Sequence, residues 1–243
     1  MWHQINSLIS PKIFFRFASI ILPWLSVLFL LTFSYGLIGG LLLAPADYQQ
    51  GDGFRIIYVH VPCAILSLFI YGVMASAAFT ALVWRIKMAS LVIKHSAPIG
   101  AIFTFLALLT GSLWGKPMWG TYWIWDARLT SELILLFLYL GVMLFQSASS
   151  QKRTGGRAVA ILVLVGFVDL PIIHYSVYWW NTLHQGATLR LFSPSAIDNA
   201  MLYPLLSMIS AFMLYYAIVL FIRIRYELTA LSANHHWLPG RST

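Results

Sequence analysis

Between Phe17 and Ala44 the chain carries no charged residue, and five further runs come close to this. A helix needs about 20 apolar residues to cross the hydrocarbon core of a bilayer. Each run is long enough, at about 20–44, 61–84, 96–113, 128–148, 158–180 and 201–222. In lipid a backbone must satisfy its own hydrogen bonds, so each run is read as a helix. Composition agrees: 60% of residues are hydrophobic and 9% charged, where a soluble domain holds about 25% charged. The expected fold is an all-α integral membrane protein with six transmembrane helices, one membrane domain over 1–243. Two runs need comment. Lys12 and Arg16 precede the first, and Ala44-Pro45-Ala46 resembles a cleavage site; the run far exceeds a signal h-region of roughly 7–15 residues and is read as an uncleaved span. The fifth contains Asp169, Pro171 and His174, and it is kept because deleting it puts the later loops on inconsistent sides.

The net charge of +8 is not a nucleic-acid patch, because the cations fall in alternate loops. Lys12, Arg16, Arg85, Lys87, Lys94, Lys152, Arg153, Arg157, Arg223, Arg225 and Arg241 lie on one side; Arg55, Lys116, Arg128 and Arg190 lie on the other. The positive-inside bias therefore places both termini in the cytoplasm. The outer loops are then 45–60, 114–127 and 181–200.

One outer loop reads WGKPMWGTYWIWDAR, with Trp114, Trp119, Trp123 and Trp125 close together. Interfacial belts explain Trp2, Trp24, Trp84 and Trp237, but a belt needs only one or two rings per helix end. Gly115, Pro117 and Gly120 are expected to break any helix here. Trp119 and Trp123 share a helical face, whereas Trp119, Trp123 and Trp125 share a strand face; at least two rings point together either way. His60 stands at the mouth of span two and His184 at the mouth of span five. Each alone reads as a solvated loop histidine. Together with an aromatic plate and nearby cations they suit haem, whose iron takes imidazole and whose propionates are anionic. Arg55, Lys116, Arg128 and Arg190 are candidate propionate partners. Asp126 either caps a helix beginning near Ala127 or orients the loop. The single cysteine, Cys63, and the absence of C-x-x-C-H exclude thioether attachment of haem to this chain. Glu132, four residues after Arg128, reads as its ion-pair partner. His174 reads as a hydrogen-bonding group across the bundle, and Asp169 must be paired or protonated. His3, His95, His235 and His236 fall on the inner side.

The stretch WGTYWIWD, Trp119 to Asp126, resembles the tryptophan-rich motif of the haem-handling protein superfamily of cytochrome c biogenesis, and GKPMWGTYWIWDARLTSELILLFLYLG extends it. RIIYVHVP around His60 and IIHYSVYWWNTLHQG around His184 are similar to that family's two external histidine loops. The resemblance covers residues 11 to 225, and six spans match the family's smaller branch. It implies a non-enzymatic subunit of an ABC-type complex in the bacterial inner membrane. Its partners would be an ATPase subunit, a second membrane subunit and a small single-span subunit. Haem b would be held transiently and non-covalently at the outer face. His60 and His184 would be its axial ligands, Trp114, Trp119, Trp123, Trp125 and Asp126 would surround it, and Arg55 and Arg128 would steady the propionates. A periplasmic haem chaperone would receive it. The chain has no G-x-x-x-x-G-K-[ST], so the ATPase would be another subunit. The main rival is a quinol-oxidising b-type cytochrome, which grips haem with histidines inside facing helices. A transporter would want polar groups at mid-membrane, where Asp169 and His174 are the only pair.

Overall fold

The structure is a computed structural model, and it describes residues 11–149, 155–184 and 197–232. Arg190, Lys152, Arg153, Arg241, Trp2, Trp237, His3, His235 and His236 lie outside the described residues. The described elements are α1 (Pro11–Ile38), α2 (Ile57–Trp84), α3 (Lys87–Trp119), α4 (Ala127–Ser149), α5 (Gly155–Gly166), α6 (Asp169–Trp179) and α7 (Asn199–Ser232). A π-turn (Gly39–Leu43) extends α1, and a 3-10 turn (Asp52–Ile56) precedes α2. Six helical stretches are long and apolar enough to cross a membrane, with α5 and α6 forming one of them. Among the described residues there is no strand, only an isolated bridge between Asp47 and Gly51.

Lipid is as apolar as leucine, so close packing and buried hydrogen bonds hold such helices together. Small residues let the backbones approach. Gly36 faces Met208, Gly100 lies against the Tyr139 ring, and Gly166 lies under the Tyr71 hydroxyl. Tyr139 donates to Ser67 O at 2.7 Å, which locks α4 to α2. The main core gathers Leu66, Tyr71, Ile93, Leu135, Val163 and Ile224 from α2 to α5 and α7. Helix α1 packs on α7, where Ser207 donates to Thr32 O at 2.8 Å. Its other faces, including Phe17, Trp24 and Leu31, are exposed.

The fifth span is broken at Phe167 and Val168. Pro171 follows in the first turn of α6, where its missing N–H costs nothing. The kink buries Asp169 on the bundle side, but Asp169 Oδ2 and the Tyr71 hydroxyl have no hydrogen-bond partner among the described residues. His174 turns the other way. It is exposed and stacks edge-on against Tyr175, so it does not bridge the bundle as expected.

Candidate functional site

The start of α2, the end of α3, the start of α4 and the segment after α6 meet at one end of the bundle. His60 is helical, in the first turn of α2, rather than in the loop before it. A turn that begins with the Asp52–Ile56 segment carries the helix past the expected boundary. His60 Nδ1 lies 3.1 Å from Ala107 O and 3.0 Å from Thr110 Oγ1, both on α3. A carbonyl only accepts, so Nδ1 carries the proton and Nε2 keeps its lone pair. Thr110 in turn donates to Leu106 O at 2.6 Å. Gly111 completes the seat: a side chain there would meet His60 Cε1 at 3.1 Å.

His184 approaches from the segment after α6. Its ring centroid is 6.3 Å from that of His60, with the planes 37° apart. Two imidazoles on opposite sides of one metal ion, each bound through nitrogen at about 2 Å, have centroids about 6 Å apart. The pair is therefore spaced to take one ion between them. They line a cavity of about 40 Å³ together with Trp114, Trp119, Arg128 and Glu132. Trp119 meets His184 edge-on at 6.3 Å and Trp114 at 5.1 Å. Trp114 Nε1 donates to Gln50 Oε1 at 3.0 Å, across the end of the bundle.

The tryptophans do not form one plate. Helix α3 runs through Gly115 and Pro117, which were expected to break it, and carries Trp114 and Trp119 on its last turns. It stops at Gly120, whose φ of 79° is left-handed and whose N–H donates to Lys116 O at 3.0 Å. Trp123 and Trp125 follow in irregular chain and pair with each other at 5.4 Å, outside the cavity lining. Trp123 is half-buried and Trp125 is 76% exposed.

Asp126 does both things open to it in the sequence. Its Oδ1 accepts from Leu129 N at 2.8 Å and caps α4. Its Oδ2 accepts from the Thr182 hydroxyl, and Thr182 Oγ1 accepts from His184 N at 3.0 Å. One carboxylate thus joins the start of α4 to the backbone of His184. No local pattern announces this contact, because Asp126 and Thr182 are far apart in the chain.

The two arginines differ. Arg128 lines the cavity and donates through Nη1 to Ile173 O at 2.7 Å, tying α4 to α6. Arg55 does not reach the cavity. Its guanidinium donates to Asp52 Oδ1, Gly40 O and Ala44 O, closing the π-turn that ends α1. Free carbonyls at a helix end attract a cation, and this one is nearest. The expected Arg128–Glu132 ion pair is also absent among the described residues. Glu132 is 7% exposed and accepts instead from Ser67 Oγ on α2 at 2.7 Å. Lys116 donates to Gly120 O at 3.1 Å and lies over the Tyr122 ring.

The family model described as Heme exporter protein C (CcmC) matches residues 4–239. The Heme exporter protein C of Escherichia coli K12 is 51% identical over 238 residues, covering 98% of this chain and 96% of that protein. The Haemophilus influenzae protein of the same name is 49% identical over 240 residues, covering 99% and 98%. A putative cytochrome c biosynthesis ccmC-like mitochondrial protein of Arabidopsis thaliana is 44% identical over 180 residues, covering 74% of this chain and 67% of that protein.

Proposed function

The chain belongs to the Heme exporter protein C family as a six-span inner-membrane protein, and from that premise we propose that it holds haem at the periplasmic face and presents it to a periplasmic haem chaperone. The observation that carries this reading is the His60–His184 spacing of 6.3 Å beside Trp114 and Trp119. Each imidazole would bind the iron from one side. The ordered Nδ1 contact of His60 fixes its tautomer for ligation through Nε2. Haem, when bound, would supply an iron that accepts both nitrogens and a flat apolar ring against which Trp114 and Trp119 would pack. Arg128 lies against the same cavity and is the propionate partner of choice; Arg55 is already committed to α1. The chain would work with an ABC-type ATPase subunit, a second membrane subunit and a small single-span subunit, as the family resemblance implies.

A porphyrin is far larger than the cavity of about 40 Å³ that the two rings help to line. Loading would therefore widen the cavity between the elements that carry His60 and His184. This suits transient custody better than the permanent, helix-buried haem of a quinol oxidase. The test is the absorption spectrum of the purified protein with haem, beside His60→Ala and His184→Ala. Low-spin six-coordinate bands in the parent, altered or lost in each variant, support the reading. Unchanged spectra in both variants overturn it.

A further inference from the structure

At the other end of the bundle a cleft of about 640 Å³ opens between α3, α4, α5 and α7. Lys94 and His95 from α3 and Arg223 from α7 line it, with Met143 and Val159 on its apolar wall. Gly156 leaves open space where a side chain would stand. The charge is unbalanced. Glu227 takes Lys94 Nζ at 2.8 Å and sits 2.6 Å from His95 Nε2. Arg223 is exposed and has no ion pair or hydrogen bond among the described residues. Among the described residues at the cleft, one carboxylate, paired with Lys94 and His95, stands beside two permanent cations and a histidine. His95 is 8% exposed; Glu227 stands within ion-pair distance of its Nε2, but neither ring nitrogen has a hydrogen-bond partner among the described residues.

Lys94 lies seven residues into α3, about 10 Å from its start at 1.5 Å per residue. At 33 residues α3 is about 50 Å long and exceeds the roughly 30 Å hydrocarbon core by about 10 Å at each end when centred on it, which sets Lys94 at the headgroup boundary. A basic cleft between membrane helices, with an apolar wall continuing along them, is built for an amphiphilic anion. A porphyrin is a poor candidate, because both His95 ring nitrogens are buried and Nε2 lies 2.6 Å from a carboxylate, leaving no nitrogen open to iron.

We propose that this cleft binds the phosphate of an anionic phospholipid, with Lys94 and Arg223 on the phosphate and acyl chains running along Met143 and Val159. The cleft would be a structural lipid site at the end of the bundle remote from His60 and His184.

The experiment is native mass spectrometry of the full chain released from phosphatidylcholine nanodiscs with and without phosphatidylglycerol. Wild-type protein is expected to retain phosphatidylglycerol over phosphatidylcholine by on the order of tenfold, given two cations near the surface. The Lys94→Gln/Arg223→Gln double variant is expected to retain both lipids equally while its haem spectrum stays as in wild type. Glu227→Gln, which removes the competing anion, is expected to raise phosphatidylglycerol retention. Equal retention of both lipids by wild type, or an undiminished preference in the double variant, overturns the proposal. Thermal protection by inorganic phosphate alone, without lipid preference, also overturns it and assigns the cleft to a soluble anion.

Discussion

Asp126 holds two jobs on two oxygens, and substitution can separate them. In Asp126→Asn the carbonyl oxygen still caps α4, since asparagine caps as well as aspartate. The amide nitrogen can only donate to the Thr182 hydroxyl, so the charge-assisted bond that holds Thr182 and, through it, the His184 backbone is replaced by a weaker neutral one of reversed direction. Asp126→Asn is expected to leave the thermal midpoint nearly unchanged while haem retention falls about 10-fold or more, the usual effect of losing an outer-shell partner. Thr182→Val should reproduce the haem effect, and Asp126→Ala should add a cap loss of about 1 kcal/mol. Haem titration beside thermal unfolding checks all three. Thr110→Val should act more weakly on His60, because Ala107 O still holds Nδ1. The diagnostic residue types at this site, imidazole and indole, were legible in the sequence. Their helpers were not: Thr182 and Thr110 are ordinary residues until the fold brings them beside Asp126 and His60. The engagement of Arg55 with Gly40 O and Ala44 O was equally illegible, since a nearby helix end competes for its charge and nothing local declares it.

Elements are set by where backbones can touch. Gly100 is such a place: a methyl group added there overlaps the Tyr139 ring. Tyr139 would have to move and would give up its bond to Ser67 O, next to the Ser67–Glu132 contact. Gly100→Ala is therefore expected to destabilise the α2–α3–α4 packing by about 1–3 kcal/mol, read as a lower unfolding midpoint in detergent. Gly120→Ala meets no clash but must adopt φ near 79°, at a cost of about 1–2 kcal/mol. Since Gly120 ends α3 between the two tryptophan pairs, that variant should also disturb haem retention. The apolar runs made all six helical stretches readable, but the end of α3 was not. Pro117 removes only its own bond to the preceding turn, and membrane helices tolerate this. The left-handed Gly120, rather than Gly115 or Pro117, terminates the helix. The break between α5 and α6 was half visible in Asp169 and Pro171, but the outward turn of His174 depends on the phase of α6 after the kink.

At the scale of the whole molecule the decisive asymmetry is charge. The sequence places eleven cations in the loops and tails of one side and four on the other, and the positive-inside bias is what supports the proposed periplasmic placement of the His60–His184 end. Presentation to a periplasmic partner requires that orientation, because a site on the cytoplasmic side could not hand haem outward. The molecule offers a clean test. Its only cysteine, Cys63, is fully buried, so an introduced thiol reports against a quiet background. Tyr48, 90% exposed between α1 and α2, lies at the histidine end; Lys87, exposed at the start of α3, lies at the other. In intact spheroplasts a membrane-impermeant maleimide is expected to label Tyr48→Cys and spare Lys87→Cys, with Lys87→Cys reacting only after the membrane is opened. The reverse pattern would put both histidines in the cytoplasm. It would leave the imidazole spacing intact and end the case for periplasmic hand-over, since ligation depends on local geometry and presentation on which side that geometry faces.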